Sequence, residues 1–105
     1  MALQEDLGKE SIETIVLDAV RTLNLGRDAD HQLEVSLTAP LYSKNSVLDS
    51  LGLVALLIEV EEALRDVGVE VSLSDERAMS LRHNPFRDVP SLVDYIHTLQ
   101  TAPQP

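Results

Sequence analysis

The sequence predicts an all-α fold in a single domain. Two long segments repeat apolar residues at the spacing of one helical face, and a third segment near the C-terminus does so after a capping residue and a proline. Alternation typical of a strand is confined to two short stretches. A chain of 105 residues can bury one modest core but is short for a second domain or a deep enzyme cleft.

The first helix is predicted to follow Ser11, a candidate N-cap, and to end near Gly26. Its apolar residues are spaced so that they share one face: Ile12, Ile15, Val16, Ala19, Val20 and Leu23. Residues 1–10 are polar, and we expect them to form a flexible tail, as we do residues 101–105.

Residues 26–48 predict a long loop, because they contain several turn formers and no sustained helical period. Leu33, Val35 and Leu37 alternate with polar residues, but a lone strand has no obvious partner, so we expect an extended loop pinned by its leucines. Residues 28–30 resemble the opening of a calcium loop without its downstream glycine and acid, so no metal site is predicted.

The second helix is predicted to run from about Leu51 to Asp66 and to stop near Gly68. A surface helix needs only one apolar stripe, and this one has two. The first stripe is expected to face the core: Leu53, Leu56, Leu57, Val60 and Leu64.

The second stripe consists of Leu51, Val54 and Ile58 and leads into Glu61 and Glu62. It has two interpretations. A central helix could be packed on both sides, or an exposed apolar strip rimmed by acids could bind another protein.

A short helix is predicted next, capped by Ser74 or Asp75 and running to about Leu81. Residues 69–73 before it read as an extended connector. Residues 82–87 after it break the helix, because a residue that precedes proline avoids the helical region. The segment Asn84-Pro85-Phe86 has no role that the sequence can assign.

Asp88 is expected to cap a last helix, with Val89 and Pro90 in its first turn, where proline is tolerated. Its buried face is predicted from the helical period: Leu92, Val93, Ile96 and Leu99.

Ser50 lies where the second helix is predicted to begin. Asp49 and Ser50 are both good N-cap residues, because a short side-chain oxygen can accept from the free N–H groups of the first turn. Ser50 can therefore be only a cap. Alternatively its exposed hydroxyl can carry an anionic group, which the helix N-terminus and dipole favour. The residues alone leave both interpretations open.

A motif of Asp49-Ser50-Leu51 opens this helix, and apolar and acidic residues follow it: Val54, Leu56, Leu57, Val60, Glu61 and Glu62. In a short acidic chain without cysteine, this arrangement resembles the acyl carrier protein family. The resemblance covers residues 48–64 and resumes near residues 89–96, which is about half of the chain.

The resemblance implies a four-helix bundle of acyl-carrier-protein type, with a short third helix and a long loop after the first. It implies that Ser50 carries a 4'-phosphopantetheine arm, attached by a phosphopantetheinyl transferase that uses coenzyme A and usually magnesium, with Asp49 and Leu51 as the rest of the motif. It also implies that Leu51, Val54, Ile58, Glu61 and Glu62 contact the transferase and acyl-loading and acyl-processing enzymes with basic docking surfaces. The protein would present acyl groups as thioesters and would not itself be an enzyme.

The sequence departs from the family pattern at three informative positions. Many carriers have a glycine where Val47 stands, and carriers of fatty acid synthesis usually have acids at the positions of Gly52 and Ala55. These departures favour a dedicated partner set in a specialised fatty acid, polyketide or lipid pathway. The alternatives are an aminoacyl or peptidyl carrier, and an unmodified helical adaptor that binds proteins through the same apolar strip.

Composition narrows the partners further. A formal net charge of −10 disfavours binding to nucleic acid or anionic membrane and fits docking to basic protein surfaces. No apolar run approaches the roughly 20 residues of a membrane span, and the N-terminus lacks the pattern of a secretory signal, so we expect a cytoplasmic protein. We also expect a monomer. His31, His83 and His97 have no spacing typical of a triad or metal cluster.

Overall fold

The computed structural model describes residues 8–42, 48–73 and 84–101. Within these ranges the fold is all-α, with helices α1 (Lys9–Asn24), α2 (Ser50–Asp66) and α3 (Val89–Thr101) and a short 3-10 turn at Ala29–His31. The short helix that was predicted to end near Leu81 lies outside the described residues. So do Val47 and, in the predicted tails, residues 1–7 and 102–105.

Helix α1 begins earlier than the sequence suggested. Gly8 precedes the first turn, and the Ile12 N–H donates to its carbonyl at 3.2 Å. The prediction that Ser11 caps this helix is therefore wrong, and Lys9 and Glu10 belong to the helix instead of the tail. A glutamate in the first turn is favoured by the helix dipole, and Lys9 reaches Asp94 of α3 at 2.8 Å, so the extra turn has its own support.

The core lies around α1, which packs against both α2 and α3. Most residues of the apolar faces predicted for the three helices are buried: Ile12, Val16, Ala19 and Val20 of α1, Leu53, Leu56, Leu57, Val60 and Leu64 of α2, and Leu92, Val93 and Ile96 of α3. The other predicted residues, Ile15, Leu23 and Leu99, are partly buried and pack against this core. Among the described residues, no Cα atom of α2 lies within 8 Å of one of α3. Within the described residues, α1 is therefore the helix that packs against both of the others.

The start of the long loop is fixed to the end of α1. The Asn24 side chain forms two hydrogen bonds with the backbone of Leu33, donating to its carbonyl at 2.9 Å and accepting from its N–H at 2.7 Å. Gln32 donates to the carbonyls of Asn24 and Arg27. Leu33 is buried as expected, whereas Leu37 is half exposed, so Leu37 does not pin the loop.

The end of the long loop pairs with the segment before α3. The N–H groups of Leu41 and Tyr42 donate to the carbonyls of Arg87 and Phe86, both at 2.8 Å, and Val89 donates back to Ala39 at 3.0 Å. The result is an isolated antiparallel bridge. This pairing fixes the loop against α3 and brings Tyr42 close to the start of α2.

Asp88 caps α3 as predicted, accepting from the Ser91 N–H at 2.9 Å. Burial disfavours its ionised form, but hydrogen bonds from the Ser91 side chain and backbone and the nearby Arg87 guanidinium outweigh this, so the pKa of Asp88 is lowered below its ordinary value.

Helix α2 ends as the sequence predicts. Gly68 has φ +89°, a left-handed conformation that glycine adopts without strain. The Gly68 N–H donates to Arg65, and the Val69 N–H donates to Leu64, which satisfies carbonyls of the last turn in a Schellman motif. The connector that follows is held by Glu61, whose carboxylate accepts from the Leu73 N–H at 2.6 Å.

Candidate functional site

Asp49 and Ser50 have different roles at the start of α2. Asp49 is the N-cap: its backbone is extended, and its carboxylate accepts from the Gly52 N–H at 2.7 Å. Ser50 is the first helical residue and is exposed. The capping role that the sequence allowed to either residue is filled by Asp49. The Ser50 hydroxyl therefore lies at the positive end of the helix dipole without serving as its cap.

The Ser50 hydroxyl has a neighbour that sequence reasoning missed. The phenolic oxygen of Tyr42 lies 3.0 Å from Ser50 Oγ, within hydrogen-bonding distance, and either group can be the donor. The two residues are eight positions apart in the sequence, and no helical or strand period connects them. The scarcity of aromatic residues, with three in the chain, is the one signal that could have drawn attention to Tyr42.

The segment Asn84-Pro85-Phe86, to which the sequence assigns no role, holds Tyr42 in place. The Asn84 amide donates to the Tyr42 carbonyl at 3.0 Å, and its side-chain oxygen accepts from the Phe86 N–H at 2.9 Å. Phe86 is buried and meets the ring of Tyr95 edge-on, with 6.1 Å between centroids. Tyr42 is therefore anchored through its backbone to a segment that is itself anchored in the core.

Gly52 leaves room for two side chains beside the motif. A Cβ atom at this position would lie 2.7 Å from Leu48 Cδ1 and 3.4 Å from Arg27 Nη1. Leu48 is buried, and Arg27 is oriented by a hydrogen bond from its Nε to the His31 carbonyl at 2.6 Å. A guanidinium therefore lies against the first turn of α2, and the Asp49 carboxylate lies beside the same point, with its Oδ1 3.1 Å from that Cβ position.

The second stripe of α2 is exposed. Leu51, Val54 and Ile58, which we call the apolar strip, have exposed fractions of 82%, 41% and 47%. Helix α2 is therefore not packed on both sides along this stripe. The strip begins one residue after Ser50, so a protein that covered it would also approach the serine.

The two acids after the apolar strip differ in their surroundings. Glu62 is exposed, whereas Glu61 is partly buried, and one of its oxygens is bonded to the Leu73 N–H. Glu61 also lines an open depression of about 390 Å³ with Arg65, Glu70, Val71 and Ser72, near the C-terminal end of α2 and away from Ser50. Of the pair, Glu62 presents the more available carboxylate.

The histidines do not assemble with the motif in the described part of the chain. His31 is exposed on the 3-10 turn with its Nδ1 3.8 Å from Asp28, and His97 lies partly buried on α3. His83 is outside the described residues. Residues 28–30, compared above with a calcium loop, form the 3-10 turn, and no group of three or more potential metal ligands occurs within residues 8–42, 48–73 and 84–101.

None of the helices in these ranges has the length and apolar character needed to cross a membrane. Comparison of the chain with models of protein families, with curated proteins and with solved structures finds no match.

Proposed function

We propose that this protein is an acyl carrier protein in which Ser50 carries 4'-phosphopantetheine through a phosphodiester. One observation carries the proposal. The Asp-Ser-Leu motif, which resembles that of the carrier family, coincides with a helix start where Asp49 provides the cap and the Ser50 hydroxyl stays exposed. Because Asp49 already caps the helix, capping does not explain why a serine stands at position 50.

The surroundings of Ser50 fit a covalently attached phosphodiester. Its anion would lie at the N-terminus of a helix of 17 residues, where free N–H groups and the dipole favour negative charge. Arg27 adds a cation at the first turn. The arm would supply a thiol that holds an acyl group as a thioester, and the tether would raise the effective concentration of that group at each partner enzyme.

The apolar strip supports docking as the work of this protein. An exposed apolar surface on a helix marks a site of protein contact, and here it lies directly beside the proposed attachment site. Glu62 and the net charge of −10 fit partners with basic surfaces, namely a phosphopantetheinyl transferase and acyl-processing enzymes. Glu61 remains part of the proposed contact only through the carboxylate oxygen that Leu73 does not use.

The rest of the sequence-based expectations stay part of this proposal. They are a four-helix bundle with a short third helix, a single domain, a monomer, a cytoplasmic location and no enzymatic activity of the protein itself. The departure at Gly52 favours partners of a specialised pathway over those of general fatty acid synthesis.

An acyl cargo, as opposed to an aminoacyl cargo, is favoured by the aliphatic character of the core. Its buried side chains include Leu56, Leu57 and Val60 on α2 and Leu92 and Ile96 on α3, which would line an acyl slot. No close backbone contact joins α2 and α3 in the described residues, so opening such a slot would not separate one. Each buried methylene of a cargo would contribute about 0.8 kcal/mol.

Thermal unfolding of the protein carrying two-, six- and ten-carbon acyl chains tests the cargo. We expect the midpoint to rise with chain length, since a group held only by the folded state stabilises it. A flat series would remove the acyl slot and favour the aminoacyl carrier.

Intact mass after co-expression with a broad-specificity transferase tests the attachment itself. We expect one phosphopantetheine adduct on the wild type and none on Ser50→Ala. Ser11→Ala, which removes another exposed helical serine, is the matched control and should keep the adduct. A wild type that stays unmodified, while a reference carrier in the same cells is loaded, would favour the unmodified adaptor.

A further inference from the structure

We propose that Tyr42 is a positioning residue of the Ser50 site, and that its hydroxyl donates a hydrogen bond to the phosphodiester once Ser50 is modified. This bond would fix the direction in which the arm leaves the protein. The inference rests on the proposed function, which it deepens by assigning a role to a residue outside the motif.

The geometry brings the two hydroxyls together before any modification. The Tyr42 and Ser50 oxygens are 3.0 Å apart, and each hydroxyl can donate or accept. The Tyr42 ring is partly buried and packs against the core, and its hydroxyl lies at the exposed start of α2. The Asn84 amide and the Phe86 carbonyl hold the Tyr42 backbone, so the hydroxyl is placed before the arm arrives.

The chemistry of attachment makes the direction of this hydrogen bond unambiguous. The bond from Ser50 Oγ to phosphorus forms as the bond from that phosphorus to the adenosine bisphosphate part of coenzyme A breaks. The serine proton leaves to a base of the transferase or to water, and adenosine bisphosphate departs with the bridging oxygen and the electron pair of the broken bond. Ser50 Oγ and the two non-bridging oxygens can then only accept, so Tyr42 becomes the donor. A hydrogen bond to an anionic oxygen is shorter and stronger than one between two neutral hydroxyls.

A pair of tyrosine variants separates this role from packing. Tyr42→Phe removes the hydroxyl and keeps the ring, and Tyr95→Phe makes the same change at the other tyrosine of the chain, which contacts Phe86 instead of Ser50. Both variants and the wild type are loaded by a transferase from coenzyme A, and loading is followed by intact mass. The loaded proteins are then compared by ³¹P NMR.

We expect Tyr42→Phe to lower the transferase kcat by up to about tenfold, the effect of one hydrogen bond to a charged group at a partly exposed site. KM should be unchanged, because the apolar strip is untouched. The ³¹P resonance of loaded Tyr42→Phe should shift and sharpen, because the phosphodiester loses a donor and moves more freely. Loaded Tyr95→Phe should match the wild type in all three measurements.

A second measurement keeps the Tyr42 hydroxyl intact. The chain has two tyrosines and no tryptophan, so Tyr42 is the only emitter of tyrosine fluorescence in Tyr95→Phe. Its emission should change when Ser50 is loaded. This readout stays decisive even if Tyr42→Phe folds poorly, and unchanged emission on loading would overturn the proposal.

The outcomes distinguish failure of the attachment at Ser50 from failure of the role of Tyr42. A wild type that is never loaded, beside a reference carrier that is, overturns both the attachment at Ser50 and the role of Tyr42. Normal loading of all three proteins with identical ³¹P spectra leaves attachment standing and removes the role of Tyr42. Equal changes in Tyr42→Phe and Tyr95→Phe would reduce the effect to general loosening of the fold and would also overturn it.

Discussion

Asp49 offers a test in which structural and functional roles can be separated by two substitutions. Its carboxylate oxygen lies 2.7 Å from the Gly52 N–H that it accepts from. Asp49→Ala removes that acceptor and leaves a first-turn N–H without its cap. Asp49→Asn keeps an oxygen at the same place and removes only the charge, and asparagine is about as good a cap as aspartate.

The expected magnitudes follow from the capping bond. Loss of an N-cap costs about 1 kcal/mol, so Asp49→Ala should lower the unfolding midpoint by roughly 4 °C in a domain of this size. Asp49→Asn should stay within about 0.5 kcal/mol of the wild type. Asp49 belongs to the motif at which the proposed transferase acts, and we expect it to help orient that enzyme, so both variants should load more slowly.

Thermal unfolding by circular dichroism and loading followed by intact mass make the two measurements on the same samples. Asp66→Asn is the matched control, because it removes the same charge from the last residue of α2, where no cap is involved. Loading at the wild-type rate in both Asp49 variants would refute a role for Asp49 in transfer. Equal destabilisation by alanine and asparagine would refute the capping argument, because the charge and not the acceptor would then matter.

Three further outcomes are expected. Glu62→Lys should slow loading and weaken its dependence on salt, because exposed charges are screened over about 10 Å at 0.1 M. Glu70→Lys reverses an exposed charge on the connector, outside the apolar strip, and is the control. Salt-independent loading would exclude electrostatic docking. Gly68→Ala should lower the unfolding midpoint by roughly 4 °C, because alanine at φ +89° is strained by about 1 kcal/mol although its Cβ would meet no atom. The pKa of Asp88 is lowered in the folded state, so its ionised carboxylate stabilises the fold at neutral pH, and this stabilisation is lost as the pH falls below the ordinary value of 3.8. The difference in unfolding free energy between wild type and Asp88→Asn, measured by urea titration, should therefore shrink as the pH falls through that range. A difference that stays constant with pH would refute this prediction.

The helices could be predicted because their signals are local. Helix α2 was expected over residues 51–66 and runs from Ser50 to Asp66, since its apolar period, its capping aspartate and the glycine after it all lie within the segment itself. The exposure of the apolar strip could not be read from the period, because a second stripe on a helix is compatible with packing on both sides. It depends on what the rest of the chain covers.

The surroundings of Ser50 depend on contacts between distant parts of the chain, which the sequence pattern does not encode. Tyr42 reaches Ser50 because its backbone pairs with Phe86, more than forty residues away, and because Asn84 binds its carbonyl at a sequence separation of 42. Neither partner is marked by a period or motif. The predicted cap at Ser11 failed for a related reason, because the turn before it gains a contact with Asp94 of another helix.

Gly52, the residue directly after the motif, affects which charges lie on the docking surface. Glycine at position 52 leaves space for Leu48 and lets the Arg27 guanidinium lie against the first turn of α2, whereas the resembled pattern has an acid there. Glu62 follows Ser50 by twelve residues, about 18 Å along the helix. The Arg27 guanidinium and the Asp49 carboxylate therefore both lie beside the proposed arm, and the Glu62 carboxylate lies near the far end of the apolar strip. The charge of Asp49 offsets that of Arg27, so a basic group of a partner gains little attraction at the serine. The complementary partner has its basic groups opposite Glu62 and an apolar surface along the strip, which is the physical reason to expect a dedicated partner set.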